Sequence, residues 1–129
     1  MEDKIARSTT RQFKAIFPGT LNANDTLFGG QAMQWMDEVA YITATRFTHQ
    51  RMVTSSTENI RFLKAVNPDS IVEVIGTVID VGVVRLRIKV EIYAEEMYSD
   101  VRYKAVEGVF VFVSLDDNKH VKRINSDRI

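Results

Sequence analysis

The sequence of 129 residues contains no cysteine, and this absence excludes several classes of site. Disulfide bonds, thiolate metal ligands and a cysteine nucleophile are all impossible. The two histidines, His49 and His120, lie far apart in the sequence, and neither has a second histidine beside it. A zinc site needs several such ligands together, so the sequence predicts no bound metal.

The sequence also lacks an excess of charge of either sign and any long apolar run. Seventeen basic and seventeen acidic residues give a formal net charge of zero. No global field therefore attracts nucleic acid or an anionic membrane, and a polyanionic ligand must be held by a local cluster of cations. No segment approaches the roughly 20 apolar residues of a membrane-spanning helix, and residues 1–13 lack the apolar core of a signal peptide. We expect a soluble cytoplasmic protein without a nucleic-acid or membrane partner.

The length is enough for one domain with a real core, and the composition, 45% apolar and 26% charged, is typical of soluble globular proteins. Residues 1–10 are polar and charged and are predicted to form a loose N-terminal arm. A single domain is predicted over residues 11–124, with a short tail at 125–129. The charged stretch from residue 116 onward has little to bury.

The most informative stretch is NANDTLFGGQAMQWMDEVAYITA, residues 22–44. It predicts a polar turn, the glycine pair Gly29-Gly30, and a helix from about residue 30 to 48. Apolar residues that recur at helical spacing define a buried face: Met33, Met36, Ala40, Thr43, Ala44 and Phe47. The free N–H groups of the first helical turn favour negative charge. Asp37 is expected at the edge of the buried face. Alone, the glycine pair is typical of a tight turn, and an aspartate on a helix flank is typically solvated. Their combination at a fixed spacing suggests a functional site.

The rest of the chain has the patterns of β-strands. Strands are predicted at residues 11–17, 52–62, 71–81, 84–92 and 101–113. The fourth has the clearest alternation, with apolar residues at even positions and charged residues at odd positions, which is typical of an antiparallel sheet with one buried face. This order predicts an α+β domain in which one long helix covers an antiparallel sheet of about five strands. Long exposed edges would be protected if two copies paired.

Several of these motifs together resemble those of acyl-CoA thioester hydrolases of the bacterial YciA type and their animal cytosolic relatives, which have the hot-dog fold. The resemblance runs from about residue 11 to 124. Its most specific part is an asparagine, then Phe-Gly-Gly, then an aspartate seven residues beyond the second glycine. The matching residues are Asn22, Ala23, Asn24, Leu27, Phe28, Gly29, Gly30, Met36, Asp37, Val53, Thr54, the segment Phe62-Leu63-Lys64-Ala65-Val66, and Arg102, Tyr103, Lys104, Ala105, Glu107, Phe110, Val113 and Asp116.

The resemblance implies a curved sheet around a central helix and hydrolysis of acyl-CoA to a carboxylic acid and coenzyme A. The N–H of Gly30 would polarise the thioester oxygen. Asp37 would act either as general base for water or as nucleophile, and the sequence does not choose between them. Asn22 would orient the carbonyl or the water, and Thr54 would hydrogen-bond Asp37 or the water.

The resemblance further implies contacts with the substrate and with a second copy of the chain. Contacts with substrate are expected from Gly29 and Phe28, and cations for the coenzyme A phosphates from Arg61, Lys64, Arg85 and Arg102. Arg85 belongs to a row with Arg87 and Lys89 on one face of a strand. The alternative expectation is that this face is only solvated and binds no phosphate. The site is expected across a dimer interface, and the dimers are expected to assemble further into a trimer of dimers. Coenzyme A is part of the substrate, and no separate cofactor is expected.

Four residues at three places depart from the family pattern: Asp25 replaces a glycine, Val84-Arg85 replaces a Thr-Ser pair, and Ala65 replaces a proline. Aspartate adopts left-handed turns less readily than glycine but does adopt them. The first two departures favour, as the main alternative, a non-catalytic acyl-CoA-binding or regulatory protein of the same fold, whereas the change at Ala65 is neutral. A hot-dog dehydratase acting on hydroxyacyl thioesters is a second alternative. Its chemistry needs a histidine base near the helix, and it is disfavoured because His49 is expected near the far end of that helix. An interaction or nucleic-acid-binding domain is disfavoured by the zero net charge.

Overall fold

The computed structural model describes residues 1–124, which form a six-stranded antiparallel sheet and one long helix. The helices are α1 (Glu2–Ser8) and α2 (Gly29–Thr48), with a short 3-10 turn at Pro18–Thr20. The strands are β1 (Thr10–Ala15), β2 (Arg51–Phe62), β3 (Ser70–Val81), β4 (Arg85–Glu96), β5 (Arg102–Leu115) and β6 (Val121–Lys122). The predicted long helix and five strands are confirmed to within a few residues.

The sheet has the strand order β1-β3-β4-β5-β2, and the two-residue β6 pairs with β5. All pairings are antiparallel. The helix α2 lies against one face and contacts all five long strands. This curved sheet around a central helix is the arrangement that the hot-dog resemblance implied. Both β1 and β2 are edge strands, so the outer edge of β2 has no strand partner among residues 1–124.

The core lies between α2 and the inner face of the sheet. Fully buried side chains from α2, including Met36, Val39 and Phe47, meet the inner side chains of the central strands. The alternation predicted for β4 is confirmed, because Leu86, Ile88, Val90, Ile92 and Ala94 are all buried. The helix comes closest to the sheet at Gly76 on β3, where a Cβ atom would lie 2.5 Å from Thr43 Oγ1 and 3.0 Å from Val39 Cγ1.

The N-terminal segment, predicted to be loose, is instead the helix α1. Glu2 and Asp3 in its first turn and Arg7 in its last turn complement the helix dipole. Arg46 of α2 donates hydrogen bonds to the carbonyl oxygens of Arg7 and Thr9, which hold the C-terminal end of α1. A seven-residue helix is too short to be stable alone, so docking on α2 accounts for its presence.

The charged segment after β5 was expected to bury little, but it contributes a buried side chain, Ile124. Ile124 is 9% exposed, and its backbone N–H donates to the carbonyl oxygen of Val83. This contact fixes the chain as far as the predicted domain end. The predicted tail, residues 125–129, lies outside the described residues.

We predict that Gly76→Ala lowers the free energy of unfolding by about 1–3 kcal/mol, because the added methyl group overlaps Thr43 and Val39. Urea denaturation measures this loss. The matched control is Gly19→Ala, because nothing lies within 4 Å of a Cβ at Gly19. Both changes affect the unfolded chain in the same way. Equal stability of the two variants would contradict the close packing of α2 on β3.

Candidate active site

The turn before α2 is built around the side chain of Asn22. Its Oδ1 accepts hydrogen bonds from the backbone N–H groups of Asn24 (2.9 Å) and Thr26 (3.2 Å) and from the hydroxyl of Thr26 (3.1 Å). Asp25 has φ 58°, so the left-handed conformation expected from a family glycine is kept with aspartate in its place. The Asn22 side-chain NH2 donates no hydrogen bond within residues 1–124 and remains available to a ligand.

Helix α2 begins at Gly29 without a side-chain cap. The N–H groups of Gln31 and Ala32 donate to the carbonyl oxygen of Phe28, whereas those of Gly29 and Gly30 have no acceptor among the described residues. Two free N–H groups at the positive end of a twenty-residue helix form a site for an oxyanion. A Cβ at Gly30 would lie 2.9 Å from Phe28 Cε1, so only glycine fits beside this ring as it stands.

Asp37 and Thr54 form a hydrogen-bonded pair between α2 and β2. The Thr54 hydroxyl donates to Asp37 Oδ1 at 2.8 Å, which is one of the contacts expected from the sequence. Both residues are exposed, and no other hydrogen bond to the carboxylate occurs among residues 1–124. A hydroxyl donor fixes the orientation of the carboxylate and leaves Oδ2 free to accept a proton.

A cleft of about 350 Å³ lies beside the N-terminal end of α2. Its walls are Asn22, Leu27, Gly29, Ala32, Phe62, Leu63, Lys64, Ala65, Val66 and Val106. Three of these residues, Ala32, Val66 and Val106, are almost completely buried and belong to the apolar core. The cleft therefore suits an apolar group, with Asn22 and Lys64 as its principal polar side chains.

The chain segment that forms one wall of the cleft is held by Tyr103, which sequence reasoning missed as a site-forming residue. The Tyr103 hydroxyl donates to the carbonyl oxygen of Ala65 at 2.8 Å, and Lys64 Nζ lies 5.3 Å from the centroid of the Tyr103 ring. Backbone N–H groups of Leu63 and Lys64 donate to the carbonyl oxygen of Ala105. Tyr103 is 38 residues from Ala65, so no local pattern could have predicted this contact.

The predicted phosphate-binding cations differ in their availability. Lys64 and Arg85 have no ion-pair partner within residues 1–124, and Arg61 forms one exposed pair with Glu107 at 3.5 Å. Arg102 is bound on the other face of the sheet, at 2.6 Å from both Glu73 and Glu95. The structure therefore groups Lys64 with Asn22, Gly29 and the cleft but does not bring Arg102 there.

The ion pairs around Glu73 show why Arg102 is held away from the cleft. Glu73 is 6% exposed, and burial alone would raise the pKa of its carboxyl group. Hydrogen bonds from Arg102 and Arg11 outweigh burial and lower the pKa of Glu73 below its ordinary value. The hydrogen bond to Glu73 in turn raises the pKa of Arg102. Releasing Arg102 to bind a phosphate would leave the buried carboxylate of Glu73 with Arg11 as its remaining ion-pair partner.

Residues 1–124 contain neither a cluster of metal ligands nor a membrane-spanning helix. Within residues 1–124, no three histidine or acidic side chains are grouped as a metal site would require. In the same part of the chain, neither helix has the length and apolar character needed to cross a bilayer.

Comparisons of the sequence with known proteins agree on one family. A model of the thioesterase superfamily matches residues 24–100. An uncharacterized acyl-CoA thioester hydrolase from Haemophilus influenzae is 34% identical over 110 residues, which are 83% of this chain and 71% of that protein. The acyl-CoA thioester hydrolase YciA from Escherichia coli is 32% identical over 102 residues, 77% of either chain.

Solved structures are similar over nearly the whole chain. An acyl-CoA hydrolase from Staphylococcus aureus, solved in complex with butyryl coenzyme A and coenzyme A, has a TM-score of 0.88 at 28% identity, covering 95% of this chain and 74% of that one. The hexameric thioesterase y2039 from Yersinia pestis has a TM-score of 0.81 at 30% identity. The match covers 89% of this chain and 93% of that one.

Three variants of the Staphylococcus aureus protein have also been solved, in which an asparagine, an aspartate or a threonine is replaced by alanine. The substituted positions are 15 and 17 residues apart in sequence. Asn22, Asp37 and Thr54 have the same residue types at the same two spacings.

We predict that Asn22→Ala lowers the free energy of unfolding by about 1–2 kcal/mol, because the turn loses a side-chain oxygen that accepts three hydrogen bonds. Asn22→Asp keeps such an oxygen and should stay within about 0.5 kcal/mol of the natural protein. Urea denaturation of the three proteins measures both effects. If Asn22→Ala were as stable as Asn22→Asp, the side-chain oxygen would not be what holds the turn.

Proposed function

Because the chain belongs to the thioesterase superfamily, we propose that it is an acyl-CoA thioester hydrolase. It cleaves the thioester with water and releases a carboxylic acid and coenzyme A. The observation that carries this proposal is the hydrogen-bonded pair of Asp37 and Thr54, at fixed sequence spacing from the free helix N-terminus at Gly30.

The proposed role of Gly30 is to stabilise negative charge on the thioester oxygen. Attack on the carbonyl carbon turns that oxygen into an oxyanion, which needs donors that are already in position. The N–H of Gly30 has no competing acceptor among the described residues, and the dipole of α2 adds to its positive potential. The side-chain NH2 of Asn22 is a second available donor.

The proposed role of Asp37 is to supply the nucleophile. As a general base, its carboxylate takes a proton from the attacking water; as a nucleophile, it attacks the carbonyl carbon and forms an anhydride that water then hydrolyses. The bond from Thr54 orients the carboxylate in either case. Both routes remain open for this chain.

We infer that the Asp37 and the Gly30 that act on one thioester come from different copies of the chain. They are seven residues apart on α2, which places them about 10 Å apart along the helix axis. An oxyanion donor and a base or nucleophile must both lie about 3 Å from the reacting group. A second copy paired along the exposed edge of β2 would supply the missing half, which favours a dimer. A trimer of dimers is the larger assembly that we propose, in accord with the hexameric relative.

The phosphates of coenzyme A would be bound by cations that have no ion-pair partner. Lys64 at the cleft and the exposed Arg85 meet this condition within residues 1–124, and Arg61 has one pair, with the half-buried Glu107. Phe28 and Gly29 would contact the acyl group. No separate cofactor is part of the proposed reaction. A cytoplasmic location, expected from the composition, remains a prediction.

We predict that Asp37→Ala lowers kcat by a factor of about 100 or more, because positioned acid–base groups contribute roughly that much. Release of coenzyme A from acyl-CoAs of several chain lengths measures the rate, and a thiol reagent detects only this product because the protein has no cysteine. Thr54→Ser keeps a hydroxyl donor and should retain activity, whereas Thr54→Val should lose about tenfold.

The matched control for Asp37→Ala is Glu38→Ala, which removes the neighbouring exposed carboxylate of the same helix and should leave kcat unchanged. Hydrolysis that survives in Asp37→Ala would exclude the proposed role of this residue. Natural protein that binds acyl-CoA without releasing thiol would instead favour the non-catalytic binding protein, for which the relatives named as hydrolases offer no support.

A further inference from the structure

The edge strand β2 contains a β-bulge directly after Thr54. In the pairing with β5, Thr54 and Ser56 lie opposite consecutive residues, so Ser55 between them has no partner residue of its own. A bulge of this kind bends its strand and interrupts the ladder of backbone hydrogen bonds. Within residues 1–124, β2 pairs with β5 alone, so no second strand supports the chain at this point.

The side chain of Ser55 forms a hydrogen bond where the bulge interrupts the ladder. Its hydroxyl donates to the carbonyl oxygen of Val111 at 3.2 Å. Val111 is 2% exposed and lies on β5, which has β4 and β2 as neighbours in the sheet. The bulge is therefore fixed to a buried residue of an inner strand. This hydrogen bond lies on the β5 side of β2, opposite the outer edge at which a second copy would pair.

Thr54, the residue next to the bulge, has to be placed within a narrow range. Its hydroxyl donates to Asp37 Oδ1 at 2.8 Å, and both side chains are exposed. The position of the hydroxyl therefore depends on the backbone of β2 more than on surrounding side chains. A shift of about 0.5 Å would lengthen the hydrogen bond beyond its usual range. Catalytic groups that are misplaced by about 1 Å lose much of their effect.

We propose that Ser55 is a positioning residue: by holding the bulge against β5, it keeps the hydroxyl of Thr54 on the carboxylate of Asp37. This inference rests on the proposed function, in which the bond from Thr54 orients that carboxylate for hydrolysis. Within residues 1–124, the side chain of Ser55 hydrogen-bonds Val111 and does not contact the carboxylate by a hydrogen bond. Its effect therefore reaches the reaction through Thr54.

The test measures kcat and KM for the acyl-CoA that the natural protein hydrolyses fastest. Ser55→Ala should lower kcat about fivefold, the factor that one neutral hydrogen bond typically contributes, and should leave KM unchanged because no substrate contact is lost. Ser55→Thr keeps the hydroxyl and suits a strand, so it should have the natural kcat. The matched control is Ser56→Ala, which should also have the natural kcat. Ser56 is equally exposed, and its hydroxyl has no hydrogen-bond partner within residues 1–124.

A double-mutant cycle with Thr54→Val separates positioning from a general loss of structure. Because Ser55 acts through Thr54, Ser55→Ala should cause no further loss of kcat once the Thr54 hydroxyl has been removed. Two losses that multiply in full, a natural kcat in Ser55→Ala, or a Ser55→Thr variant as slow as Ser55→Ala would overturn the positioning role while thiol release still upheld the hydrolase. Absence of thiol release by the natural protein from every acyl-CoA would refute the hydrolase itself.

Discussion

The packing of α2 against the inner face of the sheet is the constraint on which the rest of the structure depends. The helix can lie this close only because β3 has Gly76 where it crosses Thr43 and Val39. That contact buries the apolar face of α2 and leaves Asp37 on its flank, within 2.8 Å of Thr54 on β2. It also places Gly29, in the first turn of α2, at the wall of the cleft.

The same helix separates the two proposed parts of the site. It holds the backbones of Gly30 and Asp37 about two turns apart, roughly 10 Å along the helix axis. Within residues 1–124, the edge strand β2 has no strand partner on its outer side. It carries Thr54 and Phe62, so pairing along this edge would bring a second copy to both residues. Oligomerisation would then be a requirement of catalysis as well as a protection of the edge.

Periodicity and motif spacing predicted the parts of the fold that depend on local sequence: α2, the five long strands and the facing of β4. The pairing of Asp37 with Thr54 could be expected because the resemblance to the thioester hydrolases covers both residues and implied this contact. Contacts between residues that are far apart in the sequence could not be predicted. The helix α1 depends on Arg46, Ile124 depends on Val83, and the wall of the cleft depends on Tyr103. Arg102 was a candidate by charge alone, and only the strand register reveals its pairs with Glu73 and Glu95.

The most direct test of the shared site is complementation between two variants that each lack one of its groups. Asn22→Asp keeps the turn oxygen but removes the side-chain NH2 donor, so it should lower kcat by about 100-fold, as Asp37→Ala should. Asp37→Ala and Asn22→Asp, unfolded together in urea and refolded as an equimolar mixture, would form mixed dimers in which one site contains both natural residues. Thiol release should then recover to about a quarter of the natural rate, because half of the dimers are mixed and each has one intact site of two. A mixture that remains as inactive as the separate variants would contradict a site shared between copies and would require each chain to act alone.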